Sequence, residues 1–155
     1  MSSTLRLIAD ALAAGLQAVA WPVAGTTVER RNWATVDAEA MATPRVFVVP
    51  GNAEVSRISR TMMQVDYTVT VFVGRYVQTD SQVDGMLDLA DTVMLYVRAH
   101  DWPGITWPVG VTSPQTVTIE LNPDDALTER NMWRAVITAT YRTFEVNALP
   151  PPPTP

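Results

Sequence analysis

Pro44-Arg45-Val46-Phe47-Val48-Val49-Pro50, then Gln64-Val65-Asp66-Tyr67-Thr68-Val69-Thr70-Val71-Phe72-Val73, then Asp80-Ser81-Gln82-Val83-Asp84-Gly85-Met86-Leu87 carry the reading of the stretch from Thr43 to Arg98. The first piece is an apolar run held between two prolines and apolar on both faces, as a central strand requires. The second alternates. Val65, Tyr67, Val69, Val71 and Val73 fall on one side of the pleat, and Gln64, Asp66, Thr68 and Thr70 on the other. The third opens a helix over Asp80–Arg98, capped by Asp80 or Ser81, with Val83, Met86, Leu87, Ala90, Val93, Met94 and Val97 as its apolar stripe. This order predicts an α+β fold, a mainly antiparallel twisted sheet with one long helix packed on it. Because Leu87 belongs to the stripe, Leu87→Asp is expected to prevent folding.

Outward from this stretch, Ser3 or Thr4 caps a first helix carrying Leu5, Ile8, Leu12, Leu16 and Val19 on one face, and Trp21-Pro22 stops it. Val28 to Trp33 is a modest edge strand, and Ala34 to Thr43 fits either a loop or a short helical turn. Gly51-Asn52 gives a turn or loop signal. Arg57 to Met63 fits the first half of one long strand or a separate hairpin arm. After the long helix, Asp101-Trp102-Pro103-Gly104 closes the turn and residues 105–114 form a loop. Two strands follow, Thr116 to Leu121 and Trp133 to Arg142, joined through Asn122-Pro123-Asp124-Asp125. The second places Arg134 and Arg142 on its polar face. Residues 1–149 are expected to form one α+β domain, and 150–155 a proline-rich tail that joins neither helix nor sheet.

Composition limits the function classes. The 155 residues are 47% hydrophobic with mean hydropathy +0.06, enough apolar material for a real core. All 11 basic residues are arginine, and the net charge of −5 argues against nucleic-acid binding by charge alone. An arginine-biased genome is the simpler cause of the missing lysine. Whatever the cause, arginine tolerates interface burial and bidentate pairing better than lysine does. With no cysteine, disulfides, thiolate catalysis and zinc-thiolate sites are excluded. Met1-Ser2-Ser3-Thr4 lacks the basic start and apolar core of a signal peptide, and no run reaches the roughly 20 apolar residues of a membrane span. Folding in the cytoplasm is expected.

Each candidate site has a simpler structural reading. Asp84, Asp88 and Asp91 are spaced by four and three and share one helix face. Paired carboxylates can hold a hard cation or divide acid and base roles. A solvated face does neither, and an acidic face that meets arginine from a neighbouring subunit fits better. His100 beside Asp101 suggests a couple for a nucleophile such as Ser113, yet adjacency in sequence is not triad geometry and no nucleophile-elbow motif is present. Trp102 and Trp107 suit an aromatic platform for a base or sugar, but loop aromatics more often cover a core edge or fill an interface. Arg57, Arg60 and Arg75 flank the alternating strands, where protein–protein ion pairing is favoured over nucleic-acid contact in an acidic chain. No catalytic, metal or cofactor residue is assigned. Arg57, Arg60, Arg75, Asp84, Asp88, Asp91, Arg134 and Arg142 form the candidate subunit or partner interface.

The element order over Thr4 to Val146 resembles the tail-terminator (tail-completion) proteins of long-tailed bacteriophages. The resemblance is carried by Pro44-Arg45-Val46-Phe47-Val48-Val49-Pro50, by Asp66-Tyr67-Thr68-Val69-Thr70-Val71, by the Asp80–Arg98 helix and by the late strand Trp133–Phe144. It implies a non-enzymatic virion protein forming a ring, typically a hexamer, at the head-proximal end of the tail tube. Such a ring ends tube polymerisation and joins tail to head. The implied partners are further copies of the chain, the tail tube protein and a head-closure or neck protein. DNA is only passing cargo through the lumen, and no membrane or cofactor is involved. The proline-rich end is not part of the resemblance. A head-closure or connector protein shares similar small α+β layouts. A small metal-dependent hydrolase and a monomeric module binding a ligand through the tryptophan loop are the rivals from other classes.

Overall fold

A computed structural model describes residues 3–32, 41–99, 102, 104–122 and 131–146. Residues 33–40, the His100–Asp101 couple, residues 123–130 and the proline-rich tail lie outside the described residues. Helix α1 (Thr4–Gln17) is followed by strands β1 (Thr27–Arg30), β2 (Arg45–Arg57) and β3 (Met62–Tyr76). Helix α2 (Asp80–Ala99) and strands β4 (Thr116–Leu121) and β5 (Met132–Val146) complete the described elements. The strands form one sheet in the order β1-β2-β3-β5-β4, with β1 parallel to β2 and every other pairing antiparallel. The fold is α+β.

Both helices pack on one face of this sheet, α1 over β1 and β2 and α2 over β3, β5 and β4. Ser3 caps α1, its Oγ accepting a hydrogen bond from the Arg6 amide at 3.1 Å. Between helices and sheet lies the main core. Ile8, Leu12 and Leu16 of α1 meet Val46 and Val48 of β2, while Val69, Val71, Ile137 and Ala139 come from β3 and β5. Val65, Val69 and Val93, which the alternation and the helical stripe predict to be inside, are all buried. The apolar character of β2 on both faces has its reason: Val46 and Val48 face the helices, whereas Phe47 and Val49 join Met41 in a smaller cluster on the other face, beside Phe72, Tyr76 and Met132.

Two expectations are corrected. Gly51-Asn52 is not a turn but part of β2, at a β-bulge. Pro50 pairs with Val69 and Ala53 with Tyr67, so one extra β2 residue is inserted between them. Proline donates no ladder hydrogen bond, and a Cβ at Gly51 would lie 2.6 Å from the Thr68 carbonyl oxygen, so the local sequence suits a bulge as well as a turn. The insertion shifts the inward positions of β2 from even to odd residue numbers, and the strand runs on to Arg57. Beyond it, residues 58–61 make the turn into β3, so Arg57–Met63 is neither half of one long strand nor a separate arm but the tip joining β2 to β3.

The second correction concerns α2. Its buried residues are Met86, Leu89, Ala90, Val93 and Val97, and Leu87 is 39% exposed. Val83, Met86, Ala90, Val93, Met94 and Val97 fit a stripe that includes Leu87, but the sheet sits on the side of Leu89 instead. Leu87→Asp is therefore expected to fold, and Leu89→Asp to prevent it.

Candidate interface surfaces

The first surface is an arm. β1 last pairs at Arg30 with Val48, and β4 reaches only to Thr116 opposite Thr140. Past those points β2, β3 and β5 continue alone as a three-stranded extension, pairing Val55 with Val65 and Met62 with Val146. A tight turn closes its tip: the Ile58 and Ser59 amides donate to the Met62 carbonyl at 3.1 and 3.2 Å. Ser59 Oγ accepts from the Met62 amide at 3.1 Å. Every β2 residue from 51 to 57 is exposed. Val55 (58%), Ile58 (54%), Phe144 (60%) and Val146 (70%) present large apolar side chains to solvent. Arg57 and Arg60 stand at the tip, and among the described residues neither has an ion-pair partner.

A cross-strand pair stiffens the base of the arm. Asp66 lies directly opposite Arg142, whose Nε and Nη2 donate to its two carboxylate oxygens at 2.9 and 3.1 Å. That bidentate contact holds the Asp66 carboxyl below the usual carboxylate range and raises Arg142. One residue further on, the Tyr67 hydroxyl donates to Glu145 at 3.0 Å. Burial, and then this carboxylate, push the Tyr67 phenol up.

The second surface is the outer face of α2. Asp84, Asp88, Asp91, Leu95 and Arg98 follow one another at spacings of four, three, four and three, with Leu87 alongside. All six are exposed, Leu95 at 51%. Among the described residues the three carboxylates accept no hydrogen bond or ion pair. No three His, Cys, Asp or Glu side chains of the described residues converge to hold a metal ion. A shallow groove of about 650 Å³ opens at the C-terminal end of the helix, lined by Thr92, Leu95, Tyr96, Arg98 and Ala99.

The third is the sheet face opposite the helices. Its middle is a threonine field, with Thr68, Thr140 and Thr116 in one cross-strand row and Thr70, Thr138 and Thr118 in the next. Toward the far end, Arg134 lies opposite Gly74. The Arg134 backbone amide donates to Asn122 Oδ1 at 3.0 Å, and Asn122 itself takes a left-handed φ of 46° where β4 ends.

The remaining sequence-predicted residues are elsewhere. Arg75 sits opposite Trp133 near the end of β3, and its buried Nε finds no acceptor among the described residues. Trp102 and Trp107 stack at 5.9 Å between ring centroids, and Trp107 reaches Tyr141 at 5.7 Å. Ring atoms of Trp102 also crowd Gly15 of α1, and both tryptophans pack against the core, so this pair covers the core edge. The candidate residues therefore divide into the arm (Arg57, Arg60, Arg142), the α2 face (Asp84, Asp88, Asp91) and the sheet end (Arg75, Arg134). Val55, Ile58, Phe144, Val146 and Leu95 escaped the sequence reading. Leu95 alone carried a signal, since its spacing from Asp84, Asp88 and Asp91 places it on their face.

Among the described residues no helix is long and apolar enough to cross a membrane. No protein-family model and no curated protein matches the chain. The chain does match solved structures. One is a chain of the "Virion of native gene transfer agent (GTA) particle", at 13% identity and TM-score 0.54, covering 88% of this chain and 94% of the other. A looser match, at 11% identity and TM-score 0.42, is to the extracellular contractile injection system structure "PVC sheath/tube terminator in extended state". It covers all of this chain and 62% of the other. At 13% identity the first likeness is one of fold.

Proposed function

We propose that this chain is a structural virion protein that assembles as a ring, most simply a hexamer, at the head-proximal end of a phage-type tail tube. The ring ends tube polymerisation and offers the neck a surface to join. One observation carries this reading: the fold is shared along nearly the whole of both chains with a component of a virion particle. The surfaces add to it. A three-stranded arm with exposed apolar side chains and a charged, leucine-bearing helix face are features of a protein that is finished only by its neighbours. The partners in this reading are further copies of the chain, a tail tube protein and a head-closure protein, with DNA passing through the lumen.

Electron microscopy of particles from producing cells tests it. Several copies in one layer between tube and head are expected, and deletion of the gene should give unjoined tails of irregular length. A single copy per particle, or unchanged tails after deletion, overturns the reading. A layer on the head side of the neck reassigns the chain to head closure.

A further inference from the structure

Some charged side chains are paired within the chain and others are not. Arg30 pairs with Asp10 at 3.1 Å, Arg31 and Arg45 with Glu29 at 2.8 and 3.2 Å, and Arg142 with Asp66 at 2.9 Å. These pairs all lie in the body or at the base of the arm. Among the described residues, Arg57 and Arg60 at the arm tip and Asp84, Asp88 and Asp91 on α2 have no ion partner. Each of these two surfaces also exposes apolar side chains, Val55 and Ile58 on the arm and Leu87 and Leu95 on α2. The tip is basic and apolar, with Glu54 further down β2, and the α2 face is acidic and apolar from Asp84 to Asp91, with Arg98 at its far end.

The two cannot meet within one molecule. The tip turn precedes Met62 at one end of β3, and α2 begins just past Tyr76 at the other. Fifteen residues of extended strand separate those ends by about 50 Å. With a rise of only about 1.5 Å per residue, the α2 face from Asp84 to Leu95 stays within about 25 Å of the start of the helix, roughly half the length of β3. Any contact between the surfaces is therefore between copies. Because the surfaces differ, it is head-to-tail, the kind of contact that closes into rings or runs on as a filament.

We infer that the arm tip of one copy seats across the outer face of α2 in the next, with Arg57 and Arg60 against Asp84, Asp88 and Asp91 and with Val55 and Ile58 against Leu87 and Leu95. This rests on the ring reading given above and specifies its joint. The apolar side chains supply burial, and the opposite charges set partner and register. The groove beside Leu95 and Tyr96 gives the arm a recess to enter.

The absence of cysteine makes a direct test possible. Ser59→Cys on the tip and Asp91→Cys on α2 are combined in one chain, produced with the particles and treated with a short bis-maleimide. A ladder of covalent multimers is expected, whereas either cysteine alone should give no species above a dimer. In this doubly labelled background, Arg57→Glu/Arg60→Glu and Asp84→Arg/Asp88→Arg should each reduce the ladder roughly tenfold or more. Co-production of the two charge variants should restore it, since each arm then faces a helix of opposite sign in an alternating assembly. If electron microscopy shows a multi-copy layer but the double-cysteine chain gives no ladder, the joint is wrong and the ring stands. If the ladder forms but is indifferent to both charge reversals, the charge assignment is overturned. If no multi-copy layer exists, the ring reading fails first.

Discussion

Gly15 shows how one residue serves two masters. In an isolated helix, alanine in its place would be favoured by about 1 kcal/mol. Here a Cβ would overlap the Trp102 ring, which rests on α1 where only a hydrogen leaves room. Overpacking of this kind costs about 1–3 kcal/mol, enough to reverse the helix gain. Gly15→Ala should therefore lower the chemical-denaturation midpoint, and an unchanged or raised midpoint would show that Trp102 is not held there. Asp66 gives a residue-scale expectation about pH. Its carboxyl is lowered in the folded chain, chiefly by the Arg142 hydrogen bonds, so its stabilisation is present above the ordinary carboxylate range and lost as pH falls through the folded value. The stability difference between the native chain and Asp66→Asn should be largest near neutrality. It should shrink as pH falls from about 5 toward 2. A difference that is flat with pH would mean the pair contributes only geometry. The pair links residues 76 apart, and no local pattern in the sequence announces which arginine Asp66 will meet.

At the scale of elements, α2 offers the sharpest comparison. Leu89 is fully buried and Leu87 is 39% exposed, although they are two positions apart. Leu89→Ala should cost about 2–5 kcal/mol, and Leu87→Ala about 1 kcal/mol or less. Equal losses in a denaturant titration would contradict the rotation of the helix described here. Periodicity made the existence and type of α1, β3, α2, β4 and β5 legible, because each buries one face and its side chains must repeat at 3.6 or 2. Rotation was less legible. The apolar residues of α2 cover a wide arc that includes Leu87, Leu89 and Leu95, and only the position of the sheet selects among them. The sequence suggests only the first half of β2, because Pro50, Gly51 and Asn52 satisfy the chemistry of a turn as well as that of a bulge, and the choice is made by the β3 partner. Sheet order is likewise a long-range property, with β5 inserted between β3 and β4. Of the candidate surfaces, the charges of α2 and the Arg57–Arg60 pair were visible in the sequence. The arm that carries that pair is not legible in the sequence, because residues 58–61 form its tip turn, and its exposed Phe144 and Val146 are hidden inside a regular strand pattern.

At the scale of the whole molecule, stability is unevenly spread, and the unevenness points the same way as the surfaces. The body has helices on one sheet face and strands paired up to both β1 and β4. Past Val48 and Thr140 the described sheet narrows to three strands. There β2 keeps an unpaired outer edge from 51 to 57, and β5 keeps one at its end. Bare edges with exposed apolar side chains are what natural sheets normally avoid, and segments with little burial open at low free energy. In the isolated chain, amide hydrogens of β2 beyond the bulge and of the last β5 residues should therefore exchange much faster than those of Val46–Val48 or residues 69–73. In assembled particles the arm lies on a neighbour in the arrangement inferred above, and its exchange should slow by roughly tenfold or more, together with slower exchange on the outer side of α2. Amides at the centre of β3, paired with β2 and β5 on both sides, should change least. Hydrogen–deuterium exchange read by mass spectrometry on free chain and on particles separates the possibilities. Slowing confined to the arm with none on α2 would place the arm against a different partner. An arm that exchanges equally fast in both states would leave it outside every interface of the particle.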